Sequence, residues 1–148
     1  MSHRLPRFKR TSAVAPIQLT ERDREILRLV QRHRFLRSPQ IAALLADHSQ
    51  QLLRRLQLLY HHSYLERPRA QLDQYHQGGS RHLVYGLGSK GAALLRHAGR
   101  WGEKNRSVGR LFLHHALLVA DVMVALELAC RQHGLRLLTE AELAGKDG

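Results

Sequence analysis

The chain has 148 residues, of which 43% are hydrophobic, so it is long enough to fold around a substantial core. Its 24 Lys and Arg residues outnumber its 12 Asp and Glu residues, and the net charge of +12 favours a polyanionic partner: nucleic acid first, an acidic membrane surface second, an acidic protein third. The single cysteine, Cys130, excludes an intrachain disulfide and a zinc site built from cysteines.

Residues 1–19 are predicted to form a flexible basic arm, because Pro6 and Pro16 disfavour regular structure. The arm could contact phosphates or enter a groove, and a disordered tail without a ligand is the alternative. It lacks the apolar run of a secretory signal, so a cytoplasmic location is expected. Its positive charges are Arg4, Arg7, Lys9 and Arg10.

Three helices are predicted next, within a domain that spans residues 20–99. The first begins after Thr20, a good N-cap that Asp23 supports from three residues downstream. The second begins with Ser38 as its cap, before a proline. The third covers residues 49–61. The short connection between the last two is typical of a helix-turn-helix, whose second helix enters the major groove.

The third predicted helix has a polar face with positive charge only. No acidic residue lies between His48 and Leu65, whereas a solvated helix normally mixes signs. Gln can pair with the adenine edge and Arg with the guanine edge, and the N-terminal half of the helix reaches bases most easily. The alternative is that the arginines only keep the surface soluble. The predicted DNA contacts of these helices are Ser38, Gln50, Gln51, Arg54 and Arg55.

Residues 64–87 are predicted to form a β-hairpin, the wing of a winged helix-turn-helix. Its strands are expected at residues 64–67 and 82–87, with a long polar tip between them. Such a wing lies on the DNA backbone or in the minor groove, where basic residues fix the register. An ordinary exposed hairpin is the alternative. The predicted phosphate contacts are Arg67, Arg69, Arg81 and His82.

The wing ends in Gly86-x-Gly88-x-x-Gly91, the outline of a dinucleotide-binding turn. That site needs a βαβ unit and an acidic residue about 20 positions further on. Leu111 stands there instead. We therefore interpret the motif as a junction between the wing and the next helix, with Lys90 facing a DNA phosphate, and expect no cofactor.

Residues 100–109 are predicted to be a polar linker, and residues 110–148 a long helix with a short C-terminal segment. The helix is too apolar for a solitary surface helix, so it packs on the domain or forms a homodimer, which we favour. Four polar residues interrupt its apolar run, so no membrane-spanning segment is expected. The predicted dimer contacts are Leu111, Leu118, Val122, Ala125 and Ala129.

Neither a metal site nor a catalytic site is predicted. His61, His62, His114 and His115 occur in pairs, but a zinc site needs three or four converging ligands. Asp121 lies in an apolar stretch, so we expect it to pair with an arginine or histidine as a structural carboxylate. No nucleophile stands beside a base. The chain is therefore expected not to be an enzyme and to bind neither a metal nor a small molecule.

Four stretches of the chain together resemble the replication-relaxation family of bacterial plasmid and mobile-element proteins. They are LTERDREILRLVQRHRFLRSPQIAALL, RRLQLLYHHSYLERP, GGSRHLVYGLGSKGAALL and LFLHHALLVADVMVALELA, and they fall within residues 19–138. The resemblance implies a winged-helix fold and DNA binding linked to plasmid replication, DNA relaxation or transcription control. Residue by residue, it supports Arg54 and Arg55 in the recognition helix.

The expected fold is therefore mainly α with a small β-hairpin, a winged helix-turn-helix followed by a long C-terminal helix. The expected function is sequence-specific binding of double-stranded DNA that regulates replication or transcription of a mobile element. Two alternatives remain open: the DNA-binding front end of a nuclease or relaxase, and a winged-helix protein–protein adaptor.

Overall fold

A computed structural model describes residues 5–72, 82–97 and 99–146. Within these residues, seven helices accompany a three-stranded antiparallel sheet, which confirms the predicted mainly α fold class with a small β component. The helices are α1 (Glu21–His33), α2 (Ser38–Leu45), α3 (Gln50–His61), α4 (Ser89–Leu94), α5 (Trp101–Arg106), α6 (Arg110–Gln132) and α7 (Glu140–Lys146). The strands are β1 (Leu36–Arg37), β2 (Leu65–Glu66) and β3 (Val84–Leu87).

Helices α1 and α3 begin at the predicted caps. The Thr20 hydroxyl accepts a hydrogen bond from the Asp23 backbone N–H at 3.2 Å, and the Asp23 carboxylate accepts one from the Thr20 N–H at 2.9 Å. The Ser49 hydroxyl accepts one from a backbone N–H in the first turn of α3. Helix α2 differs slightly, because Arg37 occupies the N-cap position and Ser38 is already helical.

The predicted hairpin is present, although its strands are shorter than expected. Strands β2 and β3 are antiparallel, with Leu65 opposite Leu87. The sequence did not indicate β1, in which Leu36 pairs with Tyr85 on the other side of β3. Two residues are too few to show an alternating pattern, so β1 depends on its long-range partner. Strand β3 is thus central, and all four of its residues are buried.

The core joins the first three helices, the sheet and α6. Ile26 and Leu27 of α1 and Leu56 of α3 are fully buried in its main cluster. A second cluster packs Leu113 and Leu117 of α6 against residues of the sheet region. Helix α6 is therefore held on the domain by one apolar side.

Residues 5–19 differ from the predicted flexible arm because they lie along the domain. The Arg10 guanidinium donates hydrogen bonds to the backbone carbonyls of Tyr60 at 2.9 Å and Leu65 at 3.0 Å. These two bonds join the arm to the end of α3 and to β2. Ile17 and Leu19 pack against the core. Arg4 lies outside the described residues.

Residues 100–109 are not an extended linker, since they contain helix α5. Asn105 of this helix is 1% exposed and donates a hydrogen bond to the Leu87 carbonyl at 3.0 Å. Its side-chain oxygen accepts one from Arg34 at 3.4 Å. The polar residues that suggested a linker thus include Asn105, whose amide can be buried because both its nitrogen and its oxygen are hydrogen-bonded.

Helix α6 has the predicted extent and ends before Gly134, whose φ of +69° favours glycine. By length and composition alone, α6 is apolar enough to cross a bilayer, although no membrane-spanning segment was expected. Its acidic residues face the domain: Asp121 pairs with Arg37 at 2.9 Å, as expected for a structural carboxylate, and Glu127 pairs with His33 at 3.3 Å.

The glycine motif has a packing role that leads to a stability prediction. A Cβ atom on Gly91 would stand 2.2 Å from the Tyr64 carbonyl oxygen, and one on Gly88 would stand 2.3 Å from the Ser63 carbonyl oxygen. Because backbone atoms cannot move aside without disturbing the α3–β2 connection, we expect Gly91→Ala to lower the free energy of unfolding by about 2 kcal/mol. Urea denaturation would measure this loss.

Gly145→Ala is the matched control, because a Cβ there meets nothing within 4 Å. We expect its stability to equal or slightly exceed that of the wild type, since alanine has a higher helix propensity than glycine. Equal stabilities of the Gly91 and Gly145 variants would contradict the close-approach role of the motif.

Candidate nucleic-acid interface

An open groove of about 530 Å³ separates the N-terminal half of α3 from strand β3 and the wing residues before it. It gathers predicted contacts from three separate elements of the chain. Those on its lining are Ser38, Gln50, Arg54, Arg67 and His82. Residues of the α2–α3 pair and of the predicted wing thus face one another across a common space.

The groove side of α3 follows a regular spacing. Gln50, Leu53, Arg54 and Gln57 line the groove at i, i+3, i+4 and i+7, which places them on one helical face. Leu53 is apolar like the buried residues Leu52 and Leu56 of α3, yet it is 47% exposed. The same spacing, applied to the polar face of the sequence, would have added Gln57 to the predicted contacts. Gln51 is exposed but lies off the groove lining.

Arg55 turns away from the groove and binds α1, so its prediction as a base contact needs correction. Its Nε donates to the Asp23 carboxylate at 3.0 Å, and its Nη2 donates to the other carboxylate oxygen of Asp23. Burial alone would raise the pKa of Asp23, but hydrogen bonds from Arg55 and Thr20 hold that pKa below its ordinary value. Arg55 therefore neutralises a fully buried carboxylate at the start of α1.

Arg67 is also committed within the protein, because it is only 3% exposed. Its guanidinium donates to the Arg7 carbonyl at 2.7 Å and to the Tyr85 hydroxyl at 3.0 Å. It also lies over the Tyr60 ring at 4.3 Å. Arg67 was predicted as an exposed phosphate contact, but it is a buried cation at the edge of the groove.

The arm reaches the groove because α3 and β2 anchor it. His61 accepts a hydrogen bond on Nδ1 from the Thr11 backbone N–H at 3.2 Å. Burial, and then the charges of Arg67 and Arg10, lower the pKa of His61, so the neutral ring is available as an acceptor near pH 7. With the arm fixed at this point, Leu5 and Arg7 line the groove.

The groove is positive along its described lining. Arg7, Arg54 and Arg67 contribute cations, and no Asp or Glu stands among the lining residues that the structure describes. A concave surface of one sign concentrates the opposite charge near it. The lining thus combines Gln and Arg donors with a field that attracts polyanions.

A sequence model of one family, described as replication-relaxation, matches residues 27–144. The chain belongs to the replication-relaxation family. The matched span extends from α1 into α7 and includes α6 and the groove lining apart from Leu5 and Arg7. Membership indicates a role in the replication of plasmids or other mobile elements. No curated protein and no solved structure matches the chain.

Two predicted phosphate contacts of this replication-relaxation protein, Arg69 and Lys90, lie apart from the groove. Arg69 is exposed and lines a separate pocket beside the arm. Lys90 is exposed on α4, with its ammonium 5.9 Å from the centre of the Tyr64 ring. Arg81 lies outside the described residues. Among the predicted wing contacts that the structure describes, His82 is the exposed one on the groove lining.

The histidine pairs do not assemble a metal site in the described part of this replication-relaxation protein. No group of three or more His, Cys, Asp or Glu side chains comes together there. His114 and His115 are exposed on α6, and Asp121 accepts hydrogen bonds from Arg37 and from Gln40 at 2.7 Å. Asp121 thus acts as a tether between α6 and the start of α2.

Proposed function

We propose that this chain is a sequence-specific double-stranded DNA-binding protein that controls replication or transcription of a plasmid or other mobile element. Its domain acts as a winged helix-turn-helix, with α3 in the major groove and the wing along the backbone. The order of α1, α2, α3 and the β2–β3 hairpin supports this assignment. The chain works without a cofactor, is not an enzyme and acts in the cytoplasm.

The free charge of Arg54 carries the proposal. Arg54 is exposed on the groove side of α3, and no carboxylate in the described residues pairs with it, whereas its neighbour Arg55 is held by Asp23. A guanidinium in that position can donate two hydrogen bonds to guanine, and Gln50 one turn earlier can pair with adenine. Unpaired donors on an uncovered helix are the chemistry that base recognition needs.

Selection of bound DNA from a random pool tests the proposal, followed by titration of the best site. We expect Arg54→Ala to weaken specific binding roughly 10- to 100-fold, because a bidentate base contact contributes about 1–3 kcal/mol of discrimination. Arg28→Ala is the matched control. Arg28 is exposed on α1, so this substitution removes the same charge at a position away from the groove. If Arg54→Ala binds the best site as tightly as Arg28→Ala does, α3 is not the reader.

We also propose that the chain forms a homodimer through the outer side of α6. The predicted contacts Leu111, Leu118 and Val122 are 81%, 53% and 60% exposed, and Ala125 and Ala129 are exposed as well. Their spacings of seven, four, three and four residues match a coiled-coil seam. Large apolar side chains on this side, such as Leu111 and Val122, would be removed from water in a dimer, which favours association of two copies.

The two alternative functions have separate readouts. A protein–protein adaptor would use the same outer side of α6 and would show no sequence preference in the DNA selection. A nuclease or relaxase front end would be revealed by Mg²⁺-dependent nicking of supercoiled plasmid by the purified chain. Reproducible cleavage would overturn the proposal that the chain is not an enzyme.

A further inference from the structure

A second pocket, of about 400 Å³, lies beside the arm, against the end of α3, strand β2 and helix α5. Its lining is dominated by positive charge. The charged residues that face it are Lys9, Arg10, Arg67, Arg69, Arg106 and a single carboxylate, Glu66. The arm, the wing and α5 each contribute a cation, so the pocket is built from parts of the chain that are far apart in sequence.

Most of this charge has no internal counterpart. Glu66 is already paired with Arg10, at 2.9 Å. Across the described ranges 5–72, 82–97 and 99–146, no carboxylate lies within ion-pair distance of Lys9, Arg69 or Arg106. With Arg67, these residues make four cations around the cavity, and the one carboxylate in its described lining is already paired with Arg10.

Arg67 makes the imbalance costly, because it is buried. Its Nε is shielded from solvent and has no hydrogen-bond partner in the described part of the protein. Its other donors reach only neutral oxygens, those of Arg7 and Tyr85. The rings of Tyr60 and Tyr85 offset part of its charge, but a buried guanidinium without an anion remains unfavourable.

We propose that this pocket binds a phosphate group. A phosphate carries up to two negative charges and several acceptor oxygens, which match a cluster of guanidinium and ammonium donors. Two sources supply the same chemistry: a backbone phosphate of bound DNA, or a free phosphorylated small molecule. Arg67 lines both this pocket and the α3 groove, so occupation of the pocket neutralises a cation that both cavities share. Only the DNA source rests on the proposed function.

Arg106→Gln tests the pocket without altering the α3 groove, and Arg100→Gln is its matched control. Arg106 is the last residue of α5 and Arg100 directly precedes this helix. Arg100 is absent from the pocket lining, and its side chain is 86% exposed. Thermal unfolding of the full chain is followed in inorganic phosphate and in pyrophosphate, with ionic strength held constant by chloride. If a free anion is the ligand, saturating phosphate raises the Tm of wild type and Arg100→Gln by about 3 °C and leaves Arg106→Gln unchanged.

Duplex DNA provides the second arm of the experiment. If the ligand is a DNA phosphate, Arg106→Gln reduces the slope of log affinity against log salt by about 1 relative to Arg100→Gln, while free phosphate stabilises neither variant. Lys9→Gln repeats both arms in case Arg106→Gln fails to fold, as judged by circular dichroism. The pocket proposal is overturned if wild type, pocket variants and control agree in both arms. Absence of any DNA binding would count against the proposed function, and the phosphate arm would then decide the pocket alone.

Discussion

Arg55→Ala is expected to lower the free energy of unfolding by about 3 kcal/mol at pH 7. Substitution of its neighbour, Arg54→Ala, should change the free energy of unfolding by less than about 0.5 kcal/mol. The difference arises because Asp23 is fully buried and its carboxylate is neutralised by Arg55. Removal of Arg55 leaves that charge with the Thr20 hydrogen bonds only. Urea denaturation followed by circular dichroism would measure both variants.

The pH dependence of this loss provides an independent check. Burial alone would raise the pKa of Asp23, but the hydrogen bonds from Arg55 and Thr20, with the charge of Arg55, hold the folded pKa below its ordinary value. A carboxylate with a lowered folded pKa contributes its full stability above the unfolded pKa of about 3.9 and loses it as the pH falls through the folded value. The gap between wild type and Arg55→Ala should therefore be widest near pH 7 and shrink towards pH 3. A gap that stays constant over this range would show that lost packing, rather than the ion pair, explains the destabilisation.

Arg54 and Arg55 show how far a single sequence can assign function along a helix. Both were expected to read DNA, because both belong to the polar face of a helix that has no acidic residue. Consecutive residues on a helix point about 100° apart, so one faces the groove while the other reaches α1. The partner of Arg55 stands 32 residues earlier in the chain. No local pattern indicates that pairing, whereas the capping pair of Thr20 and Asp23 was visible in four consecutive residues.

The same distinction between local and long-range determinants explains the rest of the fold. Caps and apolar spacing predicted α1, α3 and α6 closely because these features lie within each helix. The arm and α5 were missed because their polar residues resemble those of exposed segments. They are ordered by single distant partners: Arg10 by carbonyls about 50 residues away, and Asn105 by the Leu87 carbonyl. The wing contacts were predicted by composition, and composition does not distinguish the buried Arg67 from the exposed Arg69.

The outer side of α6 yields the other large expected effect. Val122→Glu should weaken the proposed dimer at least 100-fold, because a two-fold helix pair would bring two carboxylates together in a desolvated seam. Inner-side residues such as Val124 hold α6 on the domain, so the variant should keep its fold. Leu135→Glu is the matched control, since Leu135 is also apolar and 64% exposed but lies beyond the end of α6.

Sedimentation equilibrium at several protein concentrations separates the possible outcomes. We expect wild type and Leu135→Glu to be dimeric and Val122→Glu to be monomeric. The Val122→Glu monomer should bind an isolated half-site as well as wild type does, yet lose its preference for a two-fold site, because only the dimer links two copies of α3. A wild-type chain that remains monomeric at tens of micromolar would exclude a second copy as the partner of α6. Its apolar outer side would then have to be covered by another protein or by lipid, and binding of the chain to anionic vesicles, with Val122→Glu as the negative control, would distinguish these two.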